Sequence, residues 1–454
     1  MLPMNLDMES GAEAPQSPAM RDSRAFMRGL EPREALGVRR FTAALGSCSL
    51  SSSKRTRWLS MEDLRFHSMF ARPRAVLLCL LLCGFGLGPV GAGTNAPPSA
   101  EAIDRAIDRG IRFLLKSQNP NGSWGSARRT KNLNIFAPVP GAHEAFRSGV
   151  TGLAVQAMIE SGAAERDATA GAAIRRGEAW LLENLPGLRR ADAVAIYNVW
   201  GHAYGIQALA AMHGTEPSDA RRQEILDVIR GQIDLLRRYE SVDGGWGYYD
   251  FRVGAQRPAI DSTSFVTAAV LVAFREAKRI GVEIPQVLVD RGVASLKRQQ
   301  KPDFSYLYSE DLKWRPMRAI NRPAGSLGRS QACNLALRLW GDTNVTDAVL
   351  DTWLERFNDR IGWLSIGRKR PVPHESWFQV AGYFYYYGHF YAALCADELA
   401  PDAARRHHAQ LAAILLPLQE KDGSWWDYPL YDYHRPYGTG YALMSLARSR
   451  AALR

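Results

Sequence analysis

Two kinds of helical pattern alternate along the chain after residue 100. The first is amphipathic: Ile103, Ile107, Ile111 and Leu114 recur every three or four residues, which predicts a helix with one buried face. The second kind, as in the runs 268–274 and 442–447, lacks a wide polar face and is typical of a helix buried on all sides. The alternation therefore predicts helical hairpins, each with one outer and one inner helix.

The pattern repeats six times with a period near 60 residues. Each copy has an aligned leucine, at positions 114, 181, 235, 296, 354 and 415. Several copies carry an Arg-Gly pair, as at Arg109-Gly110, and end with Gly-x-Trp, as at 122–124 and 423–425. A glycine inside a helix costs about 1 kcal/mol relative to alanine, so its recurrence indicates that a neighbouring element approaches closely there. The tryptophan is expected to wedge between adjacent repeats.

Several copies deviate from this pattern. In the third copy Tyr239 takes the position that Gln118 holds in the first, and the fifth copy offers Asn358 and then Gly362-Trp363. Six hairpins close into a ring. The sequence thus predicts an all-α protein, an (α/α)6 toroid over residues 101–454, with loops on the Gly-x-Trp side framing a central cavity.

Composition limits the class of protein. Of 454 residues, 46% are hydrophobic and 23% charged, as in globular proteins. The net charge of +11 is spread along the chain, so we infer no nucleic-acid partner; an acidic glycan or a lipid headgroup stays an alternative to a solvated surface. Among five cysteines, only Cys333 and Cys395 follow residue 92, and no Cys-x-x-Cys pair occurs, which excludes a Cys-rich zinc site.

The N-terminal part of the chain has the features of a targeting segment. Residues 1–68 are polar and lack apolar periodicity, and we interpret them as a non-native, disordered extension. Residues 69–92, from Met69, have a basic start, an uncharged Leu-rich stretch and small residues at the end, which is typical of a signal peptide. After a linker at 93–100, the mature protein is expected to be exported, periplasmic or secreted. The alternative is a membrane anchor formed by the uncleaved signal.

The repeat motif points to a family. The sequence Arg-Gly-x-x-Phe-Leu-x-x-x-Gln-x-x-x-Gly-x-Trp at 109–124 resembles the QW repeat of squalene and oxidosqualene cyclases. Protein prenyltransferase β subunits share the same toroid, and the resemblance covers about residues 100–450. It implies a single-toroid exported member of the squalene cyclase and prenyltransferase-repeat superfamily. The motif is structural in role and says little about catalysis.

The catalytic residues of these families are mostly missing. Asp261 matches the middle acid of the Asp-x-Asp-Asp-Thr motif of squalene-hopene cyclases, but Ala259 and Ser262 replace the other two acids. Asp261 is also suited to capping the following helix. No Asp-x-Cys pair of the prenyltransferase zinc site and no Cys-Gly-Glu-Gln of the thioester domains occurs. Enzymatic activity is therefore left open; an active protein would be squalene-cyclase-like, in the isomerase or lyase class.

Aromatic and histidine side chains crowd near the predicted starts of the inner helices. They would stabilise a carbocation or stack on a sugar or a lipid chain, and packing of the toroid centre is the alternative. Histidines, among them His374, also offer acid–base chemistry. The candidates for catalysis are Asp261 and His389. The candidates for substrate binding are Tyr197, Trp200, His202, Tyr249, Trp377, Tyr386, His434 and Tyr437. No metal site and no cofactor are inferred.

Three functions stay open at this point. The first is binding of a hydrophobic or isoprenoid-like small molecule or lipid in the central cavity. The second is a polysaccharide-active (α/α)6 enzyme with a carboxylate pair at the toroid mouth. The third is a protein-interaction toroid. The expected partner is a hydrophobic small molecule or lipid, with peripheral membrane association compatible with it and no obligate subunit inferred.

Overall fold

The computed structural model describes residues 98–131, 142–188, 198–247, 262–374 and 378–454. All of them lie in one compact unit, Ala92–Arg454. The predicted extension 1–68, the signal peptide 69–92 and most of the linker 93–100 lie outside the described residues. Within the described ranges the chain is helical and has no β-strand.

Twelve long helices, α1 to α12, alternate between two layers in the described residues. The outer helices are α1 (Ala100–Ser117), α3 (Ala170–Asn184), α5 (Asp219–Tyr239), α7 (Gln286–Gln299), α9 (Asp347–Asp359) and α11 (Pro401–Leu415). The inner helices are α2 (Ala142–Glu160), α4 (Asn198–Thr215), α6 (Ser264–Arg279), α8 (Pro323–Leu339), α10 (Phe384–Asp397) and α12 (His434–Leu453). Short helices at Ala163–Arg166 and Ile361–Ser365 lie between them.

The inner helices form a closed ring. Each inner helix packs against the next along the chain, and α12 returns to pack against α2. The outer helices cover this ring; α1, for example, packs against α12. The predicted (α/α)6 toroid of six hairpins is therefore confirmed.

Burial explains why the two layers read differently in the sequence. In α1 the predicted stripe Ile103, Ile107, Ile111 and Leu114 is buried and the opposite face is solvated. In α6 every residue from Ser264 to Phe274 is buried, because neighbours surround the helix on all sides. The outer helices thus keep an amphipathic pattern that the inner helices lose.

The Gly-x-Trp turns connect the layers with a repeated set of hydrogen bonds. In the first turn the Trp124 indole Nε1 donates to the carbonyl of Leu114 at 2.8 Å, and its backbone N–H donates to Thr151 Oγ1 of α2 at 3.0 Å. Gly122 has a φ of +91° and lies so close to the Arg176 carbonyl that a Cβ there would be 2.3 Å away. Each such turn therefore fixes its own outer helix, its inner helix and the next outer helix.

The same bonds recur in the third and sixth turns. The indoles of Trp246 and Trp425 donate to the carbonyls of Leu236 and Leu415 at 2.8 and 3.0 Å. In the third copy the sequence alignment was wrong by one residue: Leu236, not Leu235, accepts from the indole. Glu240, four residues after Leu236, then takes the position predicted for Tyr239, and its Oε1 accepts from Arg291 Nε at 2.6 Å.

The fourth and fifth copies depart from the motif. In the fourth, Phe304 adopts the positive φ (+59°) of the turn glycine and the fully buried Tyr306 replaces the tryptophan, which the Gly-x-Trp pattern missed. In the fifth, the assignment of Gly362-Trp363 to a turn was wrong. Both residues lie in the short helix Ile361–Ser365, Trp363 is half-buried, and the fully buried indole is that of Trp353.

The two faces of the toroid differ in their connections. Segments that enter the N-terminal ends of the inner helices are long, such as 300–322, whereas those at the other end are short, such as 216–218. The long segments therefore decorate the face where the inner helices begin. In the described part of the chain no helix is both long and apolar enough to cross a membrane.

Candidate functional site

Aromatic rings gather where the inner helices begin, and we call this group the aromatic mouth: Trp200, Phe265, Tyr308, Tyr383 and Tyr437. Trp200, in the first turn of α4, stacks on Tyr437 of α12 with ring centroids 6.5 Å apart. Phe265 of α6 lies 6.4 Å from Trp200 and 5.2 Å from Tyr308. Trp200, Tyr383 and Tyr437 are half-buried, so these rings keep part of their surface exposed.

Tyrosines fill the axis of the ring deeper inside. Tyr204 of α4 meets Tyr441 of α12 at 5.9 Å, and Tyr387 of α10 meets Tyr441 at 6.1 Å and Tyr391 at 4.6 Å. The Tyr387 hydroxyl also donates to the carbonyl of Phe265 on α6 at 2.8 Å. Contacts between α4 and α12 and between α10 and α6 join helices that are not neighbours in the ring, so they cross its centre.

This tyrosine plug, Tyr204, Tyr387, Tyr391 and Tyr441, stays uncharged. All four side chains are at most 1% exposed, and burial raises the pKa of each phenol well above its usual value. The plug closes the axis below the aromatic mouth. A ligand entering from the side of the long connections therefore meets aromatic faces and neutral hydroxyls.

A directed hydrogen-bond chain borders the mouth. His374 Nδ1 lies 2.7 Å from the carbonyl of Gln379, which only accepts, so Nδ1 carries the proton. His374 Nε2 then accepts from the Tyr383 hydroxyl at 3.1 Å, and this hydroxyl lies 3.0 Å from that of Tyr308. Burial lowers the pKa of His374 to about 4, and the positive charge of Arg329 adds to the effect. The imidazole is therefore neutral at physiological pH and acts as an acceptor.

The backbone conformation at His374 indicates that the orientation of its side chain is constrained. Its φ of +61° is unusual for a residue with a side chain and costs about 1 kcal/mol or more. Gln379, which supplies the carbonyl partner, also has a positive φ of +54°. His374 and Gln379 thus hold the ring in one orientation at the expense of local strain.

A fully buried cation lies beside this chain. The Arg329 guanidinium of α8 donates to the carbonyls of Gly325, Tyr306 and Ile320 at 2.6–2.8 Å, and to no carboxylate of the described residues. It also lies 5.7 Å over the Tyr308 ring. Burial lowers the pKa of Arg329 to about 10, so it remains charged at neutral pH. The cation makes this side of the mouth electropositive.

Lys131 adds a second cation at the edge of the mouth. Its Nζ donates to the hydroxyl of Tyr428 and, at 2.6 Å, to the carbonyl of Pro371. It lies 3.9 Å over the Tyr428 ring, which in turn packs edge-on against Tyr383 at 5.6 Å. Burial lowers the pKa of Lys131 to about 8. Its charge is therefore easier to remove than that of an ordinary lysine.

Asp427 is a fully buried carboxyl next to Tyr428. Its Oδ2 accepts from the backbone N–H of Tyr386, in the first turn of α10, at 3.1 Å. Its Oδ1 has no hydrogen-bond partner among the described residues. Burial raises the pKa of Asp427 to about 7, against smaller opposing effects of backbone N–H groups and Arg368. The group thus titrates near neutral pH, and its bond to α10 is charge-assisted only when it is ionised.

Of the residues proposed from sequence, the structure brings Trp200 and Tyr437 together in the mouth. His202 instead faces the outer layer, where its Nδ1 lies 2.7 Å from Gln232 Oε1 of α5. His389 also faces outward: its ring lies 4.9 Å from Phe357 of α9. Burial lowers the pKa of both histidines to about 4. Neither lies in the aromatic mouth.

Tyr386 and His434 lie behind the mouth. Tyr386 is fully buried, and its backbone is the one that Asp427 caps. His434 Nδ1 donates to the carbonyl of Tyr431 at 2.8 Å, and its ring packs edge-on against Trp426 at 5.1 Å. These contacts give Tyr386 a packing role in α10 and His434 a packing role at the start of α12.

Four candidates, Asp261, Tyr197, Tyr249 and Trp377, lie outside the described residues. The helix that Asp261 was predicted to cap, α6, begins at Ser264 with Thr263 in the N-cap position. The N-cap assignment of Asp261 was therefore wrong by two residues. Thr263 makes no side-chain cap bond, and its backbone N–H donates to the Trp246 carbonyl at 3.0 Å.

The sequence offered little signal for the polar part of the site. Arg329 lies within an apolar helix pattern, and Lys131 belongs to a run of basic residues that reads as solvated surface. Tyr308 follows the fourth turn, which the Gly-x-Trp pattern did not reveal. Asp427 comes soon after the tryptophan of the last Gly-x-Trp turn. This position beside a fixed indole was the one feature of the sequence that pointed to a structural role for Asp427.

Neither metal ligation nor thiol chemistry is evident in the described residues. They contain no cluster of three or more His, Cys, Asp or Glu side chains able to hold a metal ion. Cys333 and Cys395 are buried free thiols, and burial raises the pKa of Cys333 to about 12. A thiol of this kind is inert as a nucleophile.

Part of the chain matches a known family model. Residues 94–311 match the model of the squalene-hopene cyclase C-terminal domain. This segment is therefore similar to the squalene cyclase and prenyltransferase-repeat superfamily. The squalene-cyclase-like toroid is thus confirmed both by its ring of hairpins and by this match, which ends within the fourth repeat.

Solved structures similar to the squalene-cyclase-like toroid have diverse activities. Cellobiose 2-epimerase from Spirochaeta thermophila is 14% identical over 78% of this chain and 96% of its own, with a TM-score of 0.50. The type II terpene cyclase MstE from Scytonema is 14% identical over 78% of this chain and 100% of its own, with a TM-score of 0.46. The α-1,6-mannanase GH76A of Salegentibacter is 10% identical over 78% and 100%, with a TM-score of 0.47. Similarity at this level concerns the fold alone.

Proposed function

We propose that the toroid binds an apolar, isoprenoid-like molecule at the aromatic mouth. The observation that carries the proposal is the half-buried pair Trp200 and Tyr437, stacked across two inner helices above the tyrosine plug. Ring faces pack well against the methyl groups and double bonds of an isoprenoid chain. The plug limits the depth of binding, so the ligand lies across the mouth rather than along the axis.

The polar border of the mouth supports an amphipathic ligand. Tyr308, Tyr383 and His374 form one hydrogen-bond chain, with the buried cation of Arg329 beside it. An alcohol or anionic head group fits this side, while the chain of the ligand packs on Trp200 and Tyr437. Binding sites of this type combine many apolar contacts with few polar ones.

The proposal concerns binding and not turnover. Asp261 keeps the middle acid of the squalene-hopene-cyclase motif, but Ala259 and Ser262 replace the two acids beside it, so the polar surroundings that would make Asp261 a strong proton donor are incomplete. Near the mouth, the described carboxyl groups Glu310 and Asp427 already have structural partners, because Glu310 is engaged by Arg298 at 2.6 Å and Asp427 caps α10. No second function is proposed.

Lipid extraction and mass spectrometry of the natively purified protein test the proposal directly. Titration with farnesol and geranylgeraniol, followed by tryptophan fluorescence, gives the affinity. We expect Trp200→Ala to weaken binding about tenfold, about 1.4 kcal/mol, because one ring face of the ligand contact is lost.

Trp314→Ala is the matched control, since Trp314 is 83% exposed and lies outside the mouth. In a vesicle-free assay it should bind like wild type. Equal affinity of wild type and Trp200→Ala, or preferential binding of an oligosaccharide over both isoprenoid alcohols, would contradict the proposal.

We also propose that the protein is exported. The uncharged stretch 75–92 after the basic start at Met69 supports this. Cell fractionation and mass measurement of the purified N-terminus test it, with a mature chain beginning near Gly93 as the expected result. A chain that remains in the cytoplasm, or a membrane fraction that retains residues 69–92, would contradict cleavage and export.

A further inference from the structure

One surface loop exposes large apolar side chains. We define the tryptophan loop as residues 313–318, in the connection between α7 and α8. Trp314 is 83% exposed and Met317 is 68% exposed, more than any other large hydrophobic side chain of the described residues. Isolated exposed apolar residues are common, but two within one short loop, including an indole, form a local apolar tip.

Positive charge predominates within the tip and directly after it. Residues 313–322 contain Lys313, Arg315, Arg318 and Arg322 and no acidic residue. Lys313 reaches Glu310 only at 3.8 Å, and Glu310 is already engaged by Arg298. The three arginines form no ion pair with a carboxylate of the described residues. The loop therefore presents three arginines without a carboxylate partner among the described residues.

The loop is folded rather than frayed. Its backbone closes successive turns: Arg315 N–H donates to Leu312 at 2.9 Å, and Arg318 N–H donates to Arg315 at 3.1 Å. The fully buried Asn321 donates its Nδ2 to the carbonyl of Arg315 at 3.0 Å. Arg329 holds the base of the loop from within the toroid, through the carbonyl of Ile320. The exposure of Trp314 is thus built into a fixed backbone.

We propose that the tryptophan loop docks the protein on an anionic lipid bilayer. Indole rings favour the interfacial region of a bilayer, where the apolar ring and the N–H both find partners. Lysine and arginine next to the ring are attracted to anionic headgroups. An acidic protein surface would satisfy the charges but offers no general place for an exposed indole and thioether, so the bilayer is the occupant that fits both features.

The position of the loop gives the docking a direction. Tyr308, five residues before Lys313 in the same connection, belongs to the aromatic mouth through its contact with Tyr383. Docking by the tryptophan loop therefore brings the face that carries the mouth close to the bilayer. This consequence bears on the proposed function, but the docking itself rests on the loop alone.

Vesicle co-sedimentation tests the docking. The full chain is mixed with phosphatidylcholine vesicles with or without phosphatidylglycerol, at low and at high salt. We expect binding that requires the anionic lipid and weakens at high salt, since exposed charges are screened. Trp314→Ala combined with Met317→Ala, and separately Arg315→Glu combined with Arg318→Glu, should each reduce this anionic-lipid-dependent binding about tenfold or more.

Val287→Ala and Val242→Ala are matched controls, because these side chains are also exposed apolar residues of the described surface. They should bind like wild type. Thermal unfolding confirms that every variant is folded. If residues 69–92 are not cleaved, this apolar segment would bind neutral vesicles as well. The additional binding seen only with phosphatidylglycerol therefore reports on the loop and not on that segment.

Two results would overturn the docking: no binding of wild type to anionic vesicles, or binding that both loop variants retain in full. Neither result depends on the affinity for an isoprenoid alcohol. A protein that binds vesicles but no isoprenoid would refute the proposed function and leave the docking intact, and the reverse outcome would do the opposite.

Discussion

Trp425, in the last Gly-x-Trp turn, packs its indole onto Gly110 in the first outer helix. A Cβ built on Gly110 would lie 3.0 Å from Cζ3 of Trp425 and 2.8 Å from Cδ2 of Leu443. The same relation joins Trp124 to Gly177 and Trp246 to Gly292. The recurring glycine of the outer helices is therefore the receptor for the tryptophan of the preceding repeat, and at Gly110 this contact closes the ring.

Gly110→Ala should destabilise the protein. The added methyl group meets the rigid indole of Trp425, and overpacking of this kind costs about 1–3 kcal/mol, more than the helix-propensity gain of alanine. Gly231→Ala is the matched control in the same Arg-Gly motif, where a Cβ would meet nothing within 4 Å. Chemical unfolding should show it stabilised by about 0.5–1 kcal/mol. Equal effects at the two positions would contradict the receptor role of Gly110.

Trp425→Ala should cost about 3 kcal/mol or more, because it removes a fully buried indole and its hydrogen bond to Leu415. Trp363→Ala is the comparison, since Trp363 was predicted as an equivalent turn residue but is half-buried on a short helix. Its cost should stay near 1 kcal/mol. Thermal unfolding of both variants measures this difference. Similar losses of stability would support the original interpretation of Gly362-Trp363 as a turn equivalent to the others.

Asp427 should make stability fall as the pH rises. Its pKa is raised to about 7 in the folded protein, above the value near 3.9 of an unfolded chain, so between these values the native state binds more protons. The contribution is full below about pH 4 and is lost as the pH rises through 7.

Relative to Asp427→Asn, wild type should therefore lose about 2–3 kcal/mol between pH 5 and 8. Taking the difference between the two proteins cancels the buried histidines, whose lowered pKa values act in the opposite direction below pH 6.5. Urea unfolding across this range measures it. A constant difference would show that Asp427 is ionised throughout.

Arg329→Lys should destabilise by about 3 kcal/mol although it keeps the charge. A single ammonium group does not reproduce the planar fork that reaches the carbonyls of Tyr306, Gly325 and Ile320. Arg315→Lys, in the exposed tryptophan loop, is the control and should change stability by less than about 0.5 kcal/mol. An Arg329→Lys variant as stable as wild type would mean that the three hydrogen bonds contribute little to stability.

The sequence was sufficient for the fold because the Gly-x-Trp turn is a local structure with a local signature. Glycine at a positive φ and an indole ten residues after the leucine whose carbonyl it binds recur in the first, third and sixth copies. The fourth copy escaped because Phe304 tolerates the same φ and Tyr306 fills the place of the indole. In such a copy the backbone conformation and the buried ring are kept, although the residue types differ.

The site was harder to predict for a physical reason. An inner helix is buried all round, so its sequence has no polar face to tell which residues point to the axis and which to the outer layer. Trp200 and His202 are two residues apart on α4, yet one belongs to the mouth and the other binds Gln232 of α5. The clustering of aromatic residues in the sequence indicated the correct end of the inner helices. It did not show which side chains face the axis and which face the outer layer.

Ring closure also sets the order of events during synthesis. The bond from Arg109 Nη2 to the carbonyl of Glu420 joins residues 311 positions apart. At ordinary rates of translation about 15–60 s pass between the emergence of these two residues from the ribosome. During that time the first helix lacks its final neighbour, and a nascent chain of five hairpins still shows an apolar seam. The polypeptide therefore acquires its complete native contacts only after its last turn is made.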